Sequence, residues 1–399
     1  MDQLTIIPPK YIRKILVTLQ SRSFPAFLVG GCVRDMLMGK YPNDWDICTA
    51  ARPEQVMEIF PGSLPTGIKH GTVTVVLGSR RAEVTTFRAE GSYADHRHPD
   101  SVSFVGELNA DLSRRDFTMN AIALSAEGVI SDPFRGMEDI KKQLIRCVGE
   151  PRRRFEEDAL RMFRALRFSA RTGFDIEKNT LTAIEEKAEL ARFVAPERIK
   201  EELEKLLLSS APETVLKLLD LGLMDAYLSK RPAGQGHFGR IAALPSKPLP
   251  RWAAFCCILQ ELGCIAKTED FLLKLRLDSR TVRCCTDVTR LFDLPAPADS
   301  PRWKRLLRDY GLDAVSTMAQ CSDALRGTGL RKGLKAVLKS GECFSMKHLA
   351  VSGDELLELG IEGKALGEML RFLLDYVIDY PDNNRRELLL QLARPGEEH

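Results

Sequence analysis

The segment FLVGGCVRD at residues 27–35, followed by DWD at residues 44–46, decides the fold of the first part of this chain. A short apolar strand ends at a double glycine, and a helix is predicted to follow it. Because glycine has no Cβ, the backbone at Gly30 and Gly31 can approach a ligand closely, and the first N–H groups of a helix face an anion such as a phosphate. Arg34 adds a guanidinium that matches phosphate oxygens. A plain turn is the alternative, since a Gly-Gly pair alone is weak evidence.

The DWD segment supplies a pair of carboxylates. Residues i and i+2 of an extended strand point to the same face, so Asp44 and Asp46 are expected to lie side by side. Paired carboxylates form a hard oxygen site that suits Mg²⁺, and triphosphate chemistry uses such pairs to hold two metal ions. Glu83, on a predicted neighbouring strand, is the candidate third carboxylate. A solvated strand end is the alternative, but the preceding Gly-Gly-x-x-Arg pattern favours the metal site.

The pattern of apolar residues predicts an α+β chain. Residues 72–77 (TVTVVL) and 82–87 (AEVTTF) are β-branched runs separated by a turn, which is typical of a hairpin. From about residue 151 the strand signal disappears, and apolar residues recur at helical spacing. The predicted helices cover residues 155–171, 178–189, 196–209 and 212–221. Proline-rich stretches at residues 230–250 and 294–301 are predicted to be linkers or long loops.

The segment EDALR at residues 157–161 is a candidate for nucleobase recognition, because Asp158 and Arg161 are i,i+3 neighbours on a predicted helix. A carboxylate accepts hydrogen bonds and a guanidinium donates them. The pair therefore complements an amino group beside an acceptor ring nitrogen, as in cytosine and adenine, and rejects uracil and guanine. The alternative is a helical salt bridge worth about 0.3–0.5 kcal/mol. Arg164 and Arg167 continue a stripe that turns away from Asp158, so these arginines are not expected to touch one small group together.

Three further segments are candidates for contacts with a nucleotide or with RNA. Arg114, Arg115 and Asp116 fit a charged turn or a phosphate and sugar clamp, and the clamp is favoured. Residues 88–99 (RAEGSYADHRHP) are predicted to form a mobile loop of the kind that often carries function. Residues 325–349 carry six basic residues against one acidic residue, which fits either phosphate contacts or a solvated helical face. The candidate phosphate-binding residues there are Arg331, Lys332, Lys335 and Lys339.

The composition is that of an ordinary globular protein. Of the 399 residues, 44% are apolar, which excludes extensive disorder, and 58 basic against 55 acidic residues leave a net charge of +3. The longest apolar run, residues 252–259, is too short for a membrane helix, and the N-terminus has no signal pattern, so a cytoplasmic location is expected. The ten cysteines include no C-x-x-C pair. Neither a zinc site nor a disulfide framework is therefore expected, and the thiols are expected to be buried.

These motifs resemble those of the class II tRNA nucleotidyltransferases of bacteria, the CCA-adding enzymes, which are relatives of the poly(A) polymerases. The resemblance extends along nearly the whole chain and is most specific from residue 27 to residue 167. It implies a polymerase-β-like nucleotidyltransferase head followed by an all-α neck, body and tail. The implied boundaries are 1–148 for the head, 149–211 for the neck, 212–293 for the body and 294–399 for the tail. It also implies Mg²⁺ on Asp44 and Asp46, and nucleotide contacts from Gly31, Arg34, Arg115, Asp158, Arg161, Arg164 and Arg167.

The resemblance implies template-independent addition of CCA to the 3′ end of tRNA, from CTP and ATP, with release of pyrophosphate. The tRNA would be held by its acceptor stem and elbow. The loop at residues 88–99 looks complete, which favours full CCA addition, and the absence of a His-Asp dipeptide argues against an appended phosphohydrolase. A bacterial poly(A) polymerase is the close alternative. A non-catalytic RNA-binding module is more distant, because such a module would not need both Asp44 and Asp46.

Overall fold

The computed structural model describes residues 7–90, 102–104, 106–234 and 236–394. The chain forms two compact units, Met1–Leu206 with Thr214–Ala226, and Leu207–Glu213 with Tyr227–His399. The finer division at residues 148, 211 and 293 stays a prediction. Within the described ranges, no helix has both the length and the apolar character needed to cross a membrane.

The first unit is built on a mixed seven-stranded sheet, accompanied by two small two-stranded sheets. The strands are β1 (Ala26–Val29), β2 (Asp46–Thr49), β3 (Leu64–Gly67), β4 (Thr72–Leu77), β5 (Arg80–Thr86), β6 (Arg88–Glu90), β7 (Val102–Phe104), β8 (Ala123–Leu124), β9 (Ile130–Ser131), β10 (Leu144–Ile145) and β11 (Asp175–Ile176). The order in the large sheet is β3-β4-β5-β2-β1-β8-β9. Strand β2, which begins in the DWD segment, is therefore an interior strand, parallel to β5 and antiparallel to β1.

Ten α-helices accompany these strands in the described part of the chain as far as residue 220. They are α1 (Lys10–Ser21), α2 (Gly31–Leu37), α3 (Pro53–Ile59), α4 (Leu108–Ser113), α5 (Gly136–Lys142), α6 (Pro151–Glu157), α7 (Leu160–Thr172), α8 (Lys178–Lys187), α9 (Pro196–Leu207) and α10 (Thr214–Asp220). Beyond residue 151 only helices were expected, but β11 is a short strand that pairs in parallel with β10.

The predicted hairpin is confirmed, because β4 and β5 pair antiparallel with Val73 opposite Val84. Both valines are buried in a core that α1 covers with Ile12 and Leu16. Alternate residues of a strand point to opposite faces, so neighbouring residues of β2 enter different cores. Ile47 belongs to the core under α1, and the next residue of β2 belongs to the core on the other face.

The predicted helix over residues 155–171 is wrong at one point, because it is broken in two. Helix α6 ends at Glu157, and Asp158 is extended, with φ −148° and ψ 102°, before α7 begins at Leu160. The carboxylate of Asp158 accepts the Leu160 N–H at 3.1 Å. An aspartate that bonds to the backbone in this way competes with the helix, and it also satisfies one of the free donors at the start of α7.

Helices are the only regular secondary structure among the described residues of the second unit. Its helices are α11 (Pro248–Glu261), α12 (Thr268–Lys274), α13 (Ser279–Phe292), α14 (Ser300–Arg326), α15 (Leu330–Ser340), α16 (Gly353–Glu358), α17 (Gly363–Asp379) and α18 (Arg386–Ala393). The proline-rich stretch at residues 230–250 is not all loop, since α11 begins at Pro248 with its prolines in the first turn, where a missing N–H costs nothing. Helix α14 is kinked at Gly311, whose φ is 77°.

All ten cysteines are buried and free, so the prediction of buried thiols is confirmed. Burial raises the pKa of Cys32 to about 11, and the charge of the neighbouring Asp46 adds to this effect. Cys256 and Cys285 lie on α11 and α13, and burial raises their pKa values well above the ordinary thiol value. The thiols stay protonated at neutral pH and pack as small apolar residues.

Candidate active site

One cavity in the first unit, with a volume of 910 Å³, gathers most of the residues predicted to act on a nucleotide. Nine arginines and five aspartates line it. This excess of positive charge attracts an anion such as a triphosphate. The predicted residues that line the cavity are Gly30, Gly31, Arg34, Asp44, Asp46, Arg115, Asp158, Arg161, Arg164 and Arg167.

The turn into α2 depends on Gly30. Its φ of 76° and ψ of −138° form a combination that is essentially restricted to glycine. A Cβ at this position would lie 3.0 Å from Nη1 of Arg115 and 3.5 Å from Oδ2 of Asp46. Gly30 therefore lets the backbone pass close to a carboxylate and a guanidinium that both line the cavity.

The sequence pattern predicted that Asp44 and Asp46 lie on one strand, and this prediction is wrong. Strand β2 starts at Asp46, and Asp44 lies in the bend before it. Between them, Trp45 is 5% exposed in the core, and its carbonyl accepts the N–H of Glu83 at 2.9 Å. Burial, together with the negative charges of Glu83 and Asp44, raises the pKa of Asp46, although Arg115 opposes this effect. Burial is the largest of these effects, and the two neighbouring carboxylates add to it.

The predicted third carboxylate lies beside the pair but not in the cavity wall. Glu83 on β5 is the register partner of Asp46, yet it is not among the residues that line the cavity. Across the described residues, no group of three or more His, Cys, Asp and Glu side chains is arranged to hold a metal ion. The assignment of Glu83 therefore stays a prediction.

Arg34 is buried and already donates hydrogen bonds to neighbouring side chains, and its contact with a phosphate stays a prediction. Its side chain is 1% exposed, and Nε and Nη2 donate to Oδ1 of Asp35 at 2.9 and 2.7 Å. Nη1 donates to Oδ1 of Asn120 at 2.8 Å. An arginine has five N–H donors, and at least three of those of Arg34 are already used. Only the remaining donors are available to a nucleotide.

The Arg114 and Arg115 pair is held by an aspartate that the sequence analysis missed. Asp111 on α4 is fully buried, and its two carboxylate oxygens accept from Arg114 at 2.7 Å and from Arg115 at 3.0 Å. Burial alone would raise the pKa of Asp111, but the two arginines outweigh burial and lower it. Asp111 thereby fixes both guanidinium groups at the cavity wall, and the clamp role of the pair stays a prediction.

Arg164 and Arg167 extend from α7 into the same cavity, and Glu202 lies within ion-pair distance of both, at 3.8 Å from Arg164. Arg164 pairs with Asp116 at 2.6 Å, and Arg167 pairs with Glu202 of α9. Both guanidinium groups lie over the ring of Phe168, at 5.4 and 4.0 Å from its centroid. Burial would raise the pKa of Asp116, but the charge of Arg164 and the hydrogen bonds to the carboxylate lower it to about 2.

Asp158 and Arg161 do not form the helical salt bridge that was the alternative to base recognition, and their joint role in base recognition stays a prediction. Arg161 donates to Glu157 at 2.7 Å and to the carbonyl of Arg114 at 3.2 Å. Asp158 instead accepts Nη1 and Nη2 of Arg198 at 3.2 and 2.8 Å. The i,i+3 spacing does not apply, because Asp158 lies in the break between α6 and α7. Both residues still line the cavity.

Several other cavity residues were not predicted. They are Arg198, Arg171, Asn120, Phe168 and His70. Arg171 follows Arg167 by one helical turn, so an extended search along α7 could have found it. Arg198 comes 40 residues after Asp158, and no local spacing connects the two.

The two remaining predicted segments are the loop at residues 88–99 and the basic stretch at residues 325–349. Residues 91–99 of the predicted loop fall outside the described residues. In the second unit, α15 buries Leu334 and Val337 and exposes its basic side chains. These are Arg331, Lys332, Lys335 and Lys339. The exposed charges fit both earlier alternatives, phosphate contacts and a solvated face.

Comparison with known proteins decides the family. The Poly A polymerase head domain family matches residues 26–146, and the family described as probable RNA and SrmB-binding site of polymerase A matches residues 173–230. The CCA-adding enzyme of Anoxybacillus flavithermus is 44% identical over 392 residues, which cover 95% of each chain. That of Geobacillus sp. strain WCH70 is 39% identical over 351 residues, 86% of each chain. The chain belongs to the CCA-adding enzyme family.

The fold agrees with this membership. The crystal structure of the Bacillus stearothermophilus CCA-adding enzyme in complex with CTP is 33% identical to this chain, with a TM-score of 0.80 and coverage of 96% of both chains. The resemblance inferred from the sequence motifs is thus confirmed, as is the α+β fold with a nucleotidyltransferase head and a helical remainder.

Proposed function

We propose that this chain adds C, C and A to the 3′ end of tRNA from CTP and ATP, without a nucleic-acid template and with release of pyrophosphate. The observation that carries the proposal is the cavity whose wall combines Asp44 and Asp46 with nine arginines and with Asp158. Such a cavity offers carboxylates near the reacting 3′ hydroxyl and α-phosphate, positive charge for the triphosphate and a hydrogen-bond acceptor for the base. The family named above catalyses this class of reaction.

The basic residues of the cavity bind the triphosphate, and acidic residues hold two of these basic side chains in place. The tRNA 3′ hydroxyl oxygen attacks the α-phosphorus and releases its proton to solvent, and pyrophosphate leaves with the electron pair of the broken P–O bond. Arginines that line the cavity bind and orient the triphosphate, since guanidinium groups match phosphate oxygens in two-pronged contacts. Because Asp111 and Asp116 already hold Arg115 and Arg164 in place, binding requires little further ordering of these side chains.

A divalent cation, Mg²⁺ in our proposal, fits the carboxylates at this end of the cavity. Burial is the main cause of the raised pKa of Asp46, the negative charges of Glu83 and Asp44 add to it, and a cation would neutralise those charges. Asp44 and Asp46 would hold it, with Glu83 as a further candidate. When bound, the ion would make the attacking hydroxyl more acidic and neutralise charge on the leaving pyrophosphate.

Base selection is assigned to Asp158 and Arg161. An ionised carboxylate only accepts hydrogen bonds, so Asp158 favours the amino groups of cytosine and adenine over the carbonyls of uracil and guanine. Arg161 is 7% exposed in the same cavity and would contribute a donor. The acceptor stem and elbow of the tRNA would be held elsewhere, with the exposed cations of α15 as candidates.

The proposal includes the four-part division of the chain and a cytoplasmic location. A head at residues 1–148, a neck at 149–211, a body at 212–293 and a tail at 294–399 would separate chemistry from tRNA binding. Ten free cysteines suit a reducing compartment, which supports the cytoplasm.

The test uses purified chain, tRNA that lacks its 3′ CCA, and one labelled nucleoside triphosphate at a time. Products that grow by C, C and A, and then stop, are expected, with no extension by UTP or GTP. A long A tail would identify a poly(A) polymerase instead. Binding of tRNA without any extension would identify a non-catalytic RNA-binding module.

A further inference from the structure

Arg198 and Asp158 form a two-pronged ion pair and both line the cavity. Both Nη atoms of Arg198 donate to the carboxylate, one to each oxygen, at 3.2 and 2.8 Å. The Asp158 side chain is 16% exposed and that of Arg198 is 26% exposed. In the described part of the chain, Arg198 has no other carboxylate partner. Its charge therefore acts on the one carboxylate to which base selection is assigned.

Arg198 is attached to a rigid support. It lies in the first turn of α9, whose residues Ile199 and Leu203 are fully buried. One turn later on the same helix, Glu202 pairs with Arg167 of α7. Positions i and i+4 share one face of a helix. Helix α9 thus presents a cation and an anion together to complementary charges in the cavity wall.

The ion pair limits what Asp158 can accept. A carboxylate offers roughly four lone-pair sites. Arg198 uses one on each oxygen, and the Leu160 N–H uses a second site on Oδ1. The open site is on Oδ2, and the plane of the guanidinium fixes its direction. A carboxylate held in this way presents one oriented acceptor and no donor.

We propose that Arg198 is a positioning residue for base selection: it orients Asp158 so that a single acceptor faces the incoming base. This inference rests on the proposed function. An amino group of cytosine or adenine satisfies the open site, whereas a carbonyl of uracil or guanine meets a second acceptor. Without Arg198, the carboxylate rotates about its own bond, and the distinction weakens. Arg161 cannot replace it, because Glu157 and the carbonyl of Arg114 hold that guanidinium elsewhere.

The experiment compares Arg198→Met, which keeps side-chain length, with Arg198→Lys, which keeps the charge but loses the fork. The measured quantities are kcat/KM for CTP and UTP on tRNA lacking CCA, and for ATP and GTP on tRNA ending in CC. Arg152→Met is the matched control, since Arg152 makes a two-pronged pair with Glu186 on the exposed surface. Arg198→Met should lower the CTP/UTP and ATP/GTP ratios by roughly tenfold or more, since a site built to accept a hydrogen bond from one group rejects an analogue that lacks this donor. Arg198→Lys should fall between Arg198→Met and wild type, and Arg152→Met should match wild type.

A double-mutant cycle separates positioning from a structural role. If Arg198 acts through Asp158, then adding Arg198→Met to Asp158→Ala should not change the ratios further. Loss of activity toward all four nucleotides with unchanged ratios in both Arg198 variants would overturn the inference, as would unchanged kinetics. Should Arg198→Met fail to fold, Arg198→Lys alone decides, because it must still lower the ratios. A wild-type chain that extends no tRNA would refute the proposed function together with this inference.

Discussion

Replacement of Gly30 by alanine tests the turn on which the cavity depends. The φ of 76° and ψ of −138° at Gly30 are costly for any residue with a Cβ, by about 1–3 kcal/mol. The new Cβ would also lie 3.0 Å from Nη1 of Arg115, which is closer than nine in ten real Cβ contacts. Arg115 is held by Asp111 at 3.0 Å and can give way only by weakening that ion pair.

We expect a destabilisation of about 2 kcal/mol, and with a urea m-value of about 2 kcal/mol per molar the unfolding midpoint should fall by about 1 M. The assay is urea unfolding of the first unit, followed by Trp45 fluorescence in variants that lack Trp252 and Trp303. Nucleotide incorporation should also decrease, because Arg115 and Asp46 both contact the new methyl group.

Gly31→Ala is the matched control. Gly31 begins helix α2, and a Cβ there would meet only Nη2 of Arg34, at the ordinary distance of 3.5 Å. Its unfolding midpoint should stay the same or rise slightly, since alanine is favoured over glycine in a helix by roughly 0.5–1 kcal/mol. Equal midpoints for Gly30→Ala and Gly31→Ala would refute the reasoning.

Three further predictions concern the charged groups. Asp44→Asn should abolish incorporation of both C and A while leaving the unfolding midpoint unchanged, because Asp44 is exposed; retained turnover would remove its catalytic assignment. Because the folded pKa of Asp116 is lowered from 3.8 to about 2, its ionised form stabilises the fold above about pH 4, and this stabilisation, about 2 kcal/mol, disappears as the pH falls toward 2. The unfolding midpoint of Asp116→Asn, measured against pH, should not show this acid-dependent loss. A pH profile identical to that of the wild type would contradict the assignment of the loss to Asp116. Replacement of the three α15 lysines by glutamine should raise KM for tRNA but not for CTP. The slope of log tRNA affinity against log salt concentration should decrease in magnitude by about one for each phosphate that is no longer neutralised. Unchanged values would show that these lysines form only a solvated helical face. The lysines are Lys332, Lys335 and Lys339.

Local pattern was enough to predict the elements that local chemistry controls. The β4–β5 hairpin follows from two β-branched runs and a turn, and the start of α2 follows from Gly30 and Gly31. The ten cavity-lining residues named from the sequence came from short motifs whose members lie within a few residues of each other. In these segments, periodicity and turn chemistry agree with the tertiary structure.

Partners chosen by tertiary packing could not be predicted. The spacing of Asp158 and Arg161 predicted two neighbours on one helix, but the helix breaks at Asp158, and the partner of Asp158 comes from α9, 40 residues away. Likewise Asp111, which holds two cavity arginines, resembles an ordinary helix residue until the fold buries it completely. Burial and long-range ion pairing depend on which surfaces meet, and no spacing along the chain encodes that.

The ten buried cysteines can report transient local opening of the chain. A thiol reacts with an alkylating reagent as the thiolate and only when solvent reaches it, so each label acquired under native conditions marks a transient opening. Cys32, Cys48 and Cys147 belong to the first unit, and the other seven belong to the second. Identification of the labelled peptides by mass spectrometry at successive times would therefore measure the opening of each unit separately, without any introduced probe.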